Sequence, residues 1–464
     1  MPAEGRGPGS RVTYEVAKDR GLAMSLEPPT SVQKLQSALQ TKAKGSPGYR
    51  FYLLYDKVCR KNELEYAYRR CKASQGAPGA DGQDFTDIEA YGVERWLGEL
   101  ADILRRKEYR ASPVRRVWIP KPGGKQRPLG IPRIWDRVVM AAAGVVLEPI
   151  FAADLPDEQH GYRANCSAHT AVQAINRLLN TGHIRMIEAD LADFFTHVCH
   201  SWLQRMVRER IADPVILSLI GKWLNAGAMQ NGVVIRSEEG TPQGGPISCV
   251  LANIYLHFTL DLWFERKFKP QCRGEAHLVR FVDDFVVSFQ YLTDAEDFQR
   301  RLRGRFAQFN LELAEEKTRL LLFGRFAAER RAQYGQRPET FEFLAFKHVC
   351  GTDRRGRFTV IRIPSVRSCR KFLARVREWL LQHMHWSWRE QQSHLPSTLH
   401  WFYQYFGLYH CQKKLGWIYC EVQRHWRRAL CRQGQRHRLH WSYLATHDWF
   451  KLRPPPTRAV HPTI

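Results

Sequence analysis

Three aspartates, Asp190, Asp283 and Asp284, carry the clearest chemical pattern in the chain. Asp190 follows a short apolar run from Ile184 to Glu188, and the Asp-Asp pair interrupts a longer one, His277 to Phe289. Both runs read as strands, the second as a hairpin with the paired aspartates at its turn. A carboxylate at the end of a buried strand is costly unless its charge is used. Carboxylates that converge from neighbouring strands form an oxygen-rich cage for hard cations such as Mg²⁺. Two such ions can hold the attacking and leaving oxygens of an in-line phosphoryl displacement. Taken alone, an Asp-Asp pair at a turn is ordinary turn chemistry. Two further segments add to it. Gly240-Thr-Pro-Gln-Gly-Gly-Pro-Ile-Ser248 lets backbone approach a ligand and carries Gln243, a neutral donor and acceptor. Ile119 to Pro132 brings Lys121, Lys125 and Arg127 onto one hairpin, which can grip a triphosphate.

The elements that must position these groups alternate strand and helix through the middle of the chain. Val114 to Ile119 and Arg127 to Ile131 read as a strand and its return around Pro-Lys-Pro-Gly-Gly. Helices are expected over Tyr49 to Lys72, Ile88 to Glu108, Asp136 to Ala152, Ser201 to Asn225, Val250 to Phe264 and Asp294 to Asn310. Phe341 to Phe346 and Phe358 to Ile363 are further strands. The fold class is therefore α+β, with a last part that is mainly helical. Residues 1–45 read as a flexible arm leading into a short helix.

Charge points to the partner. Among 464 residues, 71 are Lys or Arg and 46 are Asp or Glu, a net +25 with a pI near 9.8. Apolar residues make up 44%, so packed cores are possible and a wholly disordered polycation is excluded. Such a balance asks for an anion, with nucleic acid first and an acidic membrane surface second. The longest apolar run, about Val138 to Leu147, is too short to span a bilayer, and Met1 to Arg11 is no secretory signal. Eleven cysteines at irregular spacing, without a CxxC pair, suggest reduced thiols in a cytoplasm; Cys411, Cys420 and Cys431 lack zinc spacing. From residue 351 on, 21 Lys and Arg stand against 5 Asp and Glu, with eight of the fourteen tryptophans. Basic residues interleaved with aromatics suit a surface that follows a backbone and stacks bases. Arg424, Arg427, Arg428, Arg436 and Arg438 are the candidate RNA contacts there.

Six segments in order, "RRVWIPKPGGKQRPLGIP", "EADLADFF", "GTPQGGPISCVLANIYLH", "RFVDDFVV", "LAEEKTRL" and "FEFLAF", resemble the fingers and palm of group II intron-encoded reverse transcriptases and maturases. "STLHWFYQYFG", "RHRLHWSYL" and "PPPTRAVHP" resemble that family's thumb and maturase region, so the likeness runs from about residue 25 onwards. The resemblance implies a right-hand polymerase: fingers and palm over 46–350, and a basic helical thumb and maturase domain over 351–464. No CxxC pairs or His/Asn cluster follow, so no endonuclease domain is expected.

The resemblance further implies that Asp190, Asp283 and Asp284, helped by the Leu191 carbonyl, ligate two Mg²⁺ ions, with Mn²⁺ able to substitute. Phe195 would reject a ribose 2′-OH, Gln243 would lie beside the nucleotide, Lys121 and Arg127 would hold its triphosphate, and Lys317 would approach the leaving phosphate. The implied partners are a group II intron RNA, an RNA template with a DNA primer, dNTPs and a DNA target. The implied roles are RNA-directed DNA synthesis, splicing assistance and retrohoming, with no membrane. Two other readings fit the same segments. One is a maturase whose palm is catalytically weakened; the other is a domesticated enzyme of DNA repair or of phage or CRISPR defence. Phe281-Val282 stands for the family's Tyr-Ala, Asp193 for a Gly, Thr196 for an Asp and Ala345 for a Gly.

Overall fold

The computed structural model describes residues 26–120, 126–180, 185–230, 233–235, 239–240, 244–327, 333, 335, 337–353, 355–433 and 439–460. Three antiparallel or mixed sheets organise it. The central one has strand order β6-β7-β3-β8, built from β3 (Arg185–Asp190), β6 (Ala276–Phe281), β7 (Asp284–Phe289) and β8 (Arg319–Leu322). Every neighbouring pair in it is antiparallel.

Strand side chains alternate between faces, and here each face feeds a different core. Ile187, Ala189, Phe285, Val287 and Phe289 enter a core shared with the N-terminal helices. Met186, Val279, Val286 and Leu321 enter a second core shared with the C-terminal helices. A sheet covered on both sides reads as a continuous apolar run, which is why β7 lacks a polar alternation. Helix α1 (Ile134–Ala152) is buried along nearly its whole length, at the centre of the first core. The helix Thr30–Gly45 lies against it: Gln36 Nε2 donates to the Val145 carbonyl at 3.2 Å. Residues 30–45 are thus packed structure.

A second sheet, β2-β1-β4-β5, holds β1 (Val114–Pro120), β2 (Gln126–Ile131), β4 (Ala228–Gln230) and β5 (Val233–Ile235). β1 and β2 form the expected hairpin, with Ile119 opposite Arg127, and β1 runs parallel to β4. The third sheet, β11-β10-β9, comprises β9 (Thr340–Phe343), β10 (Phe346–Thr352) and β11 (Phe358–Pro364). β10 spans residues 350 and 351, so no break in the chain falls there. The helical region starts at Ser365, whose hydroxyl caps Val366–Gln382 by accepting from Ser368 N. The helices Trp388–Phe406 and Gln412–Gln433 follow.

Several boundaries differ from expectation for local reasons. Tyr49 to Lys72 begins as an extended stretch and becomes helical only at 55–58 and Lys61–Ala73, because Phe51 bridges to Ile211. Ser201 to Asn225 is two helices, His200–Arg208 and Pro214–Asn225. Asp213 caps the second, accepting from Val215 N and Ile216 N, and Pro214 takes the first helical position, where a missing N–H costs nothing. The helix at Ser248–Leu256 continues as π turns at His257–Asp261 and Phe264–Phe268. Among the described residues no helix is long and apolar enough to cross a membrane.

Of the eight tail tryptophans, Trp426 is fully buried, stacked on Phe450 with its indole N–H donated to Gln391 at 2.9 Å. Trp386, Trp401, Trp417 and Trp441 instead keep 38–43% of their surface exposed. One set builds the second core and the other remains in water.

Candidate active site

The central sheet places Asp190 and Asp284 directly opposite each other in the β3–β7 ladder. Residues so paired hold their Cβ atoms about 5 Å apart on one face of a sheet. Asp284 also faces Phe281 across the hairpin, which leaves Val282 and Asp283 as its two-residue turn. Val282 has φ +63°, a left-handed conformation that a tight hairpin favours and a β-branched residue resists. The expected pair at the turn is therefore divided: Asp283 sits in the turn and Asp284 opens β7.

Backbone pairing also delivers Lys317. Leu191 bridges Leu313, Ala192 N donates to the Glu312 carbonyl and Ala314 N to the Asp190 carbonyl, each bond at 2.9 Å. The chain then turns, and the Lys317 ammonium forms an ion pair with the Asp190 carboxylate. Leu191 itself is buried.

Burial and mutual repulsion set the electrostatics. Burial, then the Asp190 charge, raises the Asp283 carboxyl above its ordinary value, with Arg127 and Lys317 working the other way. Asp284 is pushed well above the carboxylate range by burial and then by Asp190, Asp283 and Glu188. The hydrogen bond from Lys317 to Asp190 raises the ammonium in turn. Close carboxylates with raised proton affinity are a site short of positive charge. Their donor atoms are all oxygens, which fits a hard divalent cation. Among the described residues no three His, Cys, Asp or Glu side chains close into a metal cage, and Lys317 provides the positive charge at Asp190.

The other candidates surround this point. Arg127, exposed on β2, acts electrostatically on Asp283, so the fingers hairpin reaches over the palm. Phe195 lies in the short helix Phe194–His197, half-buried, its ring edge-on to Phe194 at 5.2 Å. Asp193 opens that helix at φ +43°, the conformation for which the family's glycine is suited and which Asp tolerates. Lys121 and Gln243 lie outside the described residues, but both flanks of Gln243 are tightly held. Gly240 N donates to the Val198 carbonyl at 2.8 Å, and its own carbonyl meets His200 Nε2 at 2.6 Å. Gly244 has φ +125°, and a Cβ there would stand 2.6 Å from the Gly130 carbonyl of β2. Glycine is required at that contact.

In the tail, Arg424 and Arg428 are exposed, with Arg424 paired to Glu421. Arg427 is half-buried, donates to the Leu439 carbonyl at 2.6 Å and lies over the Trp441 ring at 5.3 Å. Arg436 and Arg438 fall outside the described residues.

Sequence reasoning missed two contributions. Tyr405, from the helix Trp388–Phe406, donates its hydroxyl to the Leu344 carbonyl at 2.9 Å in the β9–β10 turn. Burial and the Asp284 charge together raise that phenol, so a helix of the tail region comes near the central-sheet carboxylates. Arg280 is wholly buried beside the Val282–Asp283 turn; a lone arginine within Leu278-Val-Arg-Phe281 was the available signal.

Residues 119–348 match the family model described as reverse transcriptase (RNA-dependent DNA polymerase). The chain is 32% identical to Protein YkfC of Escherichia coli K12 over 365 residues, which cover 74% of this chain and 95% of that protein. It is 34% identical to the group II intron-encoded protein LtrA of Lactococcus lactis over 208 residues, 45% of this chain and 34% of LtrA. It is 30% identical to a putative COX1/OXI3 intron 1 protein of Saccharomyces cerevisiae over 205 residues, 44% of this chain and 24% of that protein. The chain thus spans nearly all of one relative and about a third or less of the two intron proteins.

Proposed function

Since this chain belongs to the family of group II intron reverse transcriptases and maturases, we propose that it copies an RNA template into DNA from a DNA primer and dNTPs. One observation carries the reading: Asp190 and Asp284 are cross-strand partners, and Asp283 is in the adjoining turn. Asp190, Asp283 and Asp284, with the Leu191 carbonyl, would hold two Mg²⁺ ions, or Mn²⁺ in their place. The ions, when bound, neutralise charge on the reacting phosphate and its leaving group. This chain's own groups do the positioning. Arg127, with Lys121, steadies the triphosphate from the fingers; Gln243 borders the nucleotide from a loop pinned at Gly240 and Gly244. Phe195 would bar a ribose 2′-OH. Lys317 would leave Asp190 to neutralise the departing pyrophosphate. Nucleotidyl transfer draws chiefly on such positioning and charge complementarity.

In this reading fingers and palm run to Pro364, and the helical region from Ser365 is the thumb and maturase part. Its exposed tryptophans and arginines would bind intron RNA, which supports splicing and, with a DNA target, retrohoming; the compartment would be the cytoplasm. The test compares wild type with Asp283→Ala in primer extension and in splicing of an intron flanking the gene. Extension should fall on the order of a thousandfold or more, while splicing persists. No extension by well-folded wild type with Mg²⁺ sinks the polymerase reading.

A further inference from the structure

Arg280 and Asp261 form an ion pair in which each side chain is 1% exposed. Nε and Nη2 of Arg280 fork onto the Asp261 carboxylate at 2.8 and 2.5 Å. The remaining nitrogen, Nη1, donates to the Val282 carbonyl at 3.0 Å and to Asn253 Oδ1 at 3.3 Å. A buried pair of this kind contributes little net stability, because desolvating both charges offsets their attraction. Its geometry is the informative part. Only a guanidinium can bind a carboxylate with two donors and still present a third in a fixed plane.

That third donor goes to the turn bearing Asp283. The turn is strained at Val282, φ +63°, a conformation that persists only when its surroundings over-determine it. The surroundings here are specific. Asn253 Nδ2 and Gln159 Nε2 both donate to the Gly161 carbonyl, at 2.8 and 2.6 Å. Gly161 lies so close that a Cβ would stand 2.4 Å from Val282 N. His160 N donates to the Arg280 carbonyl at 2.9 Å, and Arg280 N to the Glu158 carbonyl at 3.1 Å. Asp261 closes the π turn His257–Asp261, a local widening of the kind found at functional positions. That turn continues the helix which starts just after Gly244 and Gly245. One element therefore links the loop beside the proposed nucleotide to the turn beside the proposed metals.

We propose that Arg280, clamped by Asp261, is a positioning residue that holds the Val282 carbonyl and thereby sets the Val282–Asp283 turn in the form that presents Asp283 and Asp284 to a divalent cation. The inference rests on the polymerase reading above and adds to it a support that touches neither substrate nor ion.

The test uses the full chain and two variants: Arg280→Lys, and Arg280→Met combined with Asp261→Leu. The first keeps a charge for Asp261 but loses the fork and the third donor. The second replaces the pair with apolar groups that can pack, so stability is retained while the carbonyl loses its partner. Thermal unfolding, RNA affinity, Mn²⁺ binding by electron paramagnetic resonance, and single-nucleotide extension against Mg²⁺ are measured. Expected are unfolding midpoints and RNA affinities near wild type, with Mn²⁺ binding and extension each weakened about tenfold or more, the usual effect of removing support behind a metal ligand. A folded apolar pair that binds Mn²⁺ and extends like wild type overturns the proposal, and so does such a result for Arg280→Lys if only that variant folds. Wild type that neither binds Mn²⁺ nor extends overturns the polymerase reading, and this inference with it. Unaffected variants beside an active wild type overturn this inference alone.

Discussion

His348 illustrates how strongly one side chain can be governed by its surroundings. It is fully buried in β10, opposite Arg362 in β11, with its ring stacked on Phe341 at 4.4 Å. Burial, and then the Arg362 charge, lowers its pKa to about 3. The unfolded chain would bind a proton near pH 6.5, whereas the folded one would not, so stability falls as pH drops from about 6.5 towards 3. By pH 5 this single group removes about 2 kcal/mol. His348→Leu should unfold at a similar urea concentration at pH 7.5 and at a higher one than wild type at pH 5. Equal acid sensitivity of the two proteins would refute the assignment. The aspartates behave in the opposite sense. Asp283 and Asp284, both raised by burial and then by the Asp190 charge, favour the fold when protonated and weaken it as pH rises. A divalent cation removes that weakness by giving the ionised forms a partner.

Two elements show local chemistry deciding geometry. The β9–β10 hairpin turns through Leu344 and Ala345, at φ +48° and +67°. A left-handed alanine is disfavoured by about 1 kcal/mol relative to glycine, and the carbonyls of both residues are used: Tyr405 donates to Leu344 and Ser365 N to Ala345. Ala345→Gly should therefore stabilise the protein by about 1 kcal/mol in urea unfolding, with the hairpin unchanged. The break before Pro214 depends on Asp213, which is buried. One carboxylate oxygen caps the helix, accepting from Val215 N and Ile216 N, and the other accepts from Leu54 N and Tyr55 N at 2.9 Å each. Asp213→Ala should destabilise by about 2 kcal/mol or more, since it removes a cap and leaves buried donors unpaired. A change below experimental error would show that water replaces the carboxylate.

At the scale of the whole molecule, the central sheet is a shared wall. One face supports the helices around α1 and the other supports the tail, so the basic region is built directly onto the palm. Trp386, Trp401, Trp417 and Trp441 are each exposed in that region, as are Arg424 and Arg428, and this composition suits the proposed RNA role. Contacts to phosphates release counterions, so RNA affinity should fall steeply and linearly on a log–log plot against salt. Arg428→Ala should lower the magnitude of that slope by about 1 and weaken binding similarly across RNA sequences. A salt slope near zero for wild type would refute phosphate binding by this face.

Many of the candidate residues were legible because a carboxylate, a glycine or a cation at a turn or strand end is a conspicuous residue type. Carboxylates at strand ends, glycines flanking Gln243 and cations on a hairpin are local signals. The β1–β2 hairpin follows from alternation and turn residues, and the β6–β7 hairpin from an apolar run broken by the Asp-Asp pair. Long-range pairing was not legible. Nothing local places Asp190 opposite Asp284, brings Lys317 onto Asp190, carries Tyr405 to the β9–β10 turn, or sets Arg280 between Asp261 and Val282. Composition by itself excluded a wholly disordered polycation and pointed to an anionic partner. The tertiary structure decided which tryptophans are core and which remain exposed, and which arginine supports a turn from inside. Burial and charge pairing depend on residues distant in sequence, so only the assembled sheet and its two cores could settle them.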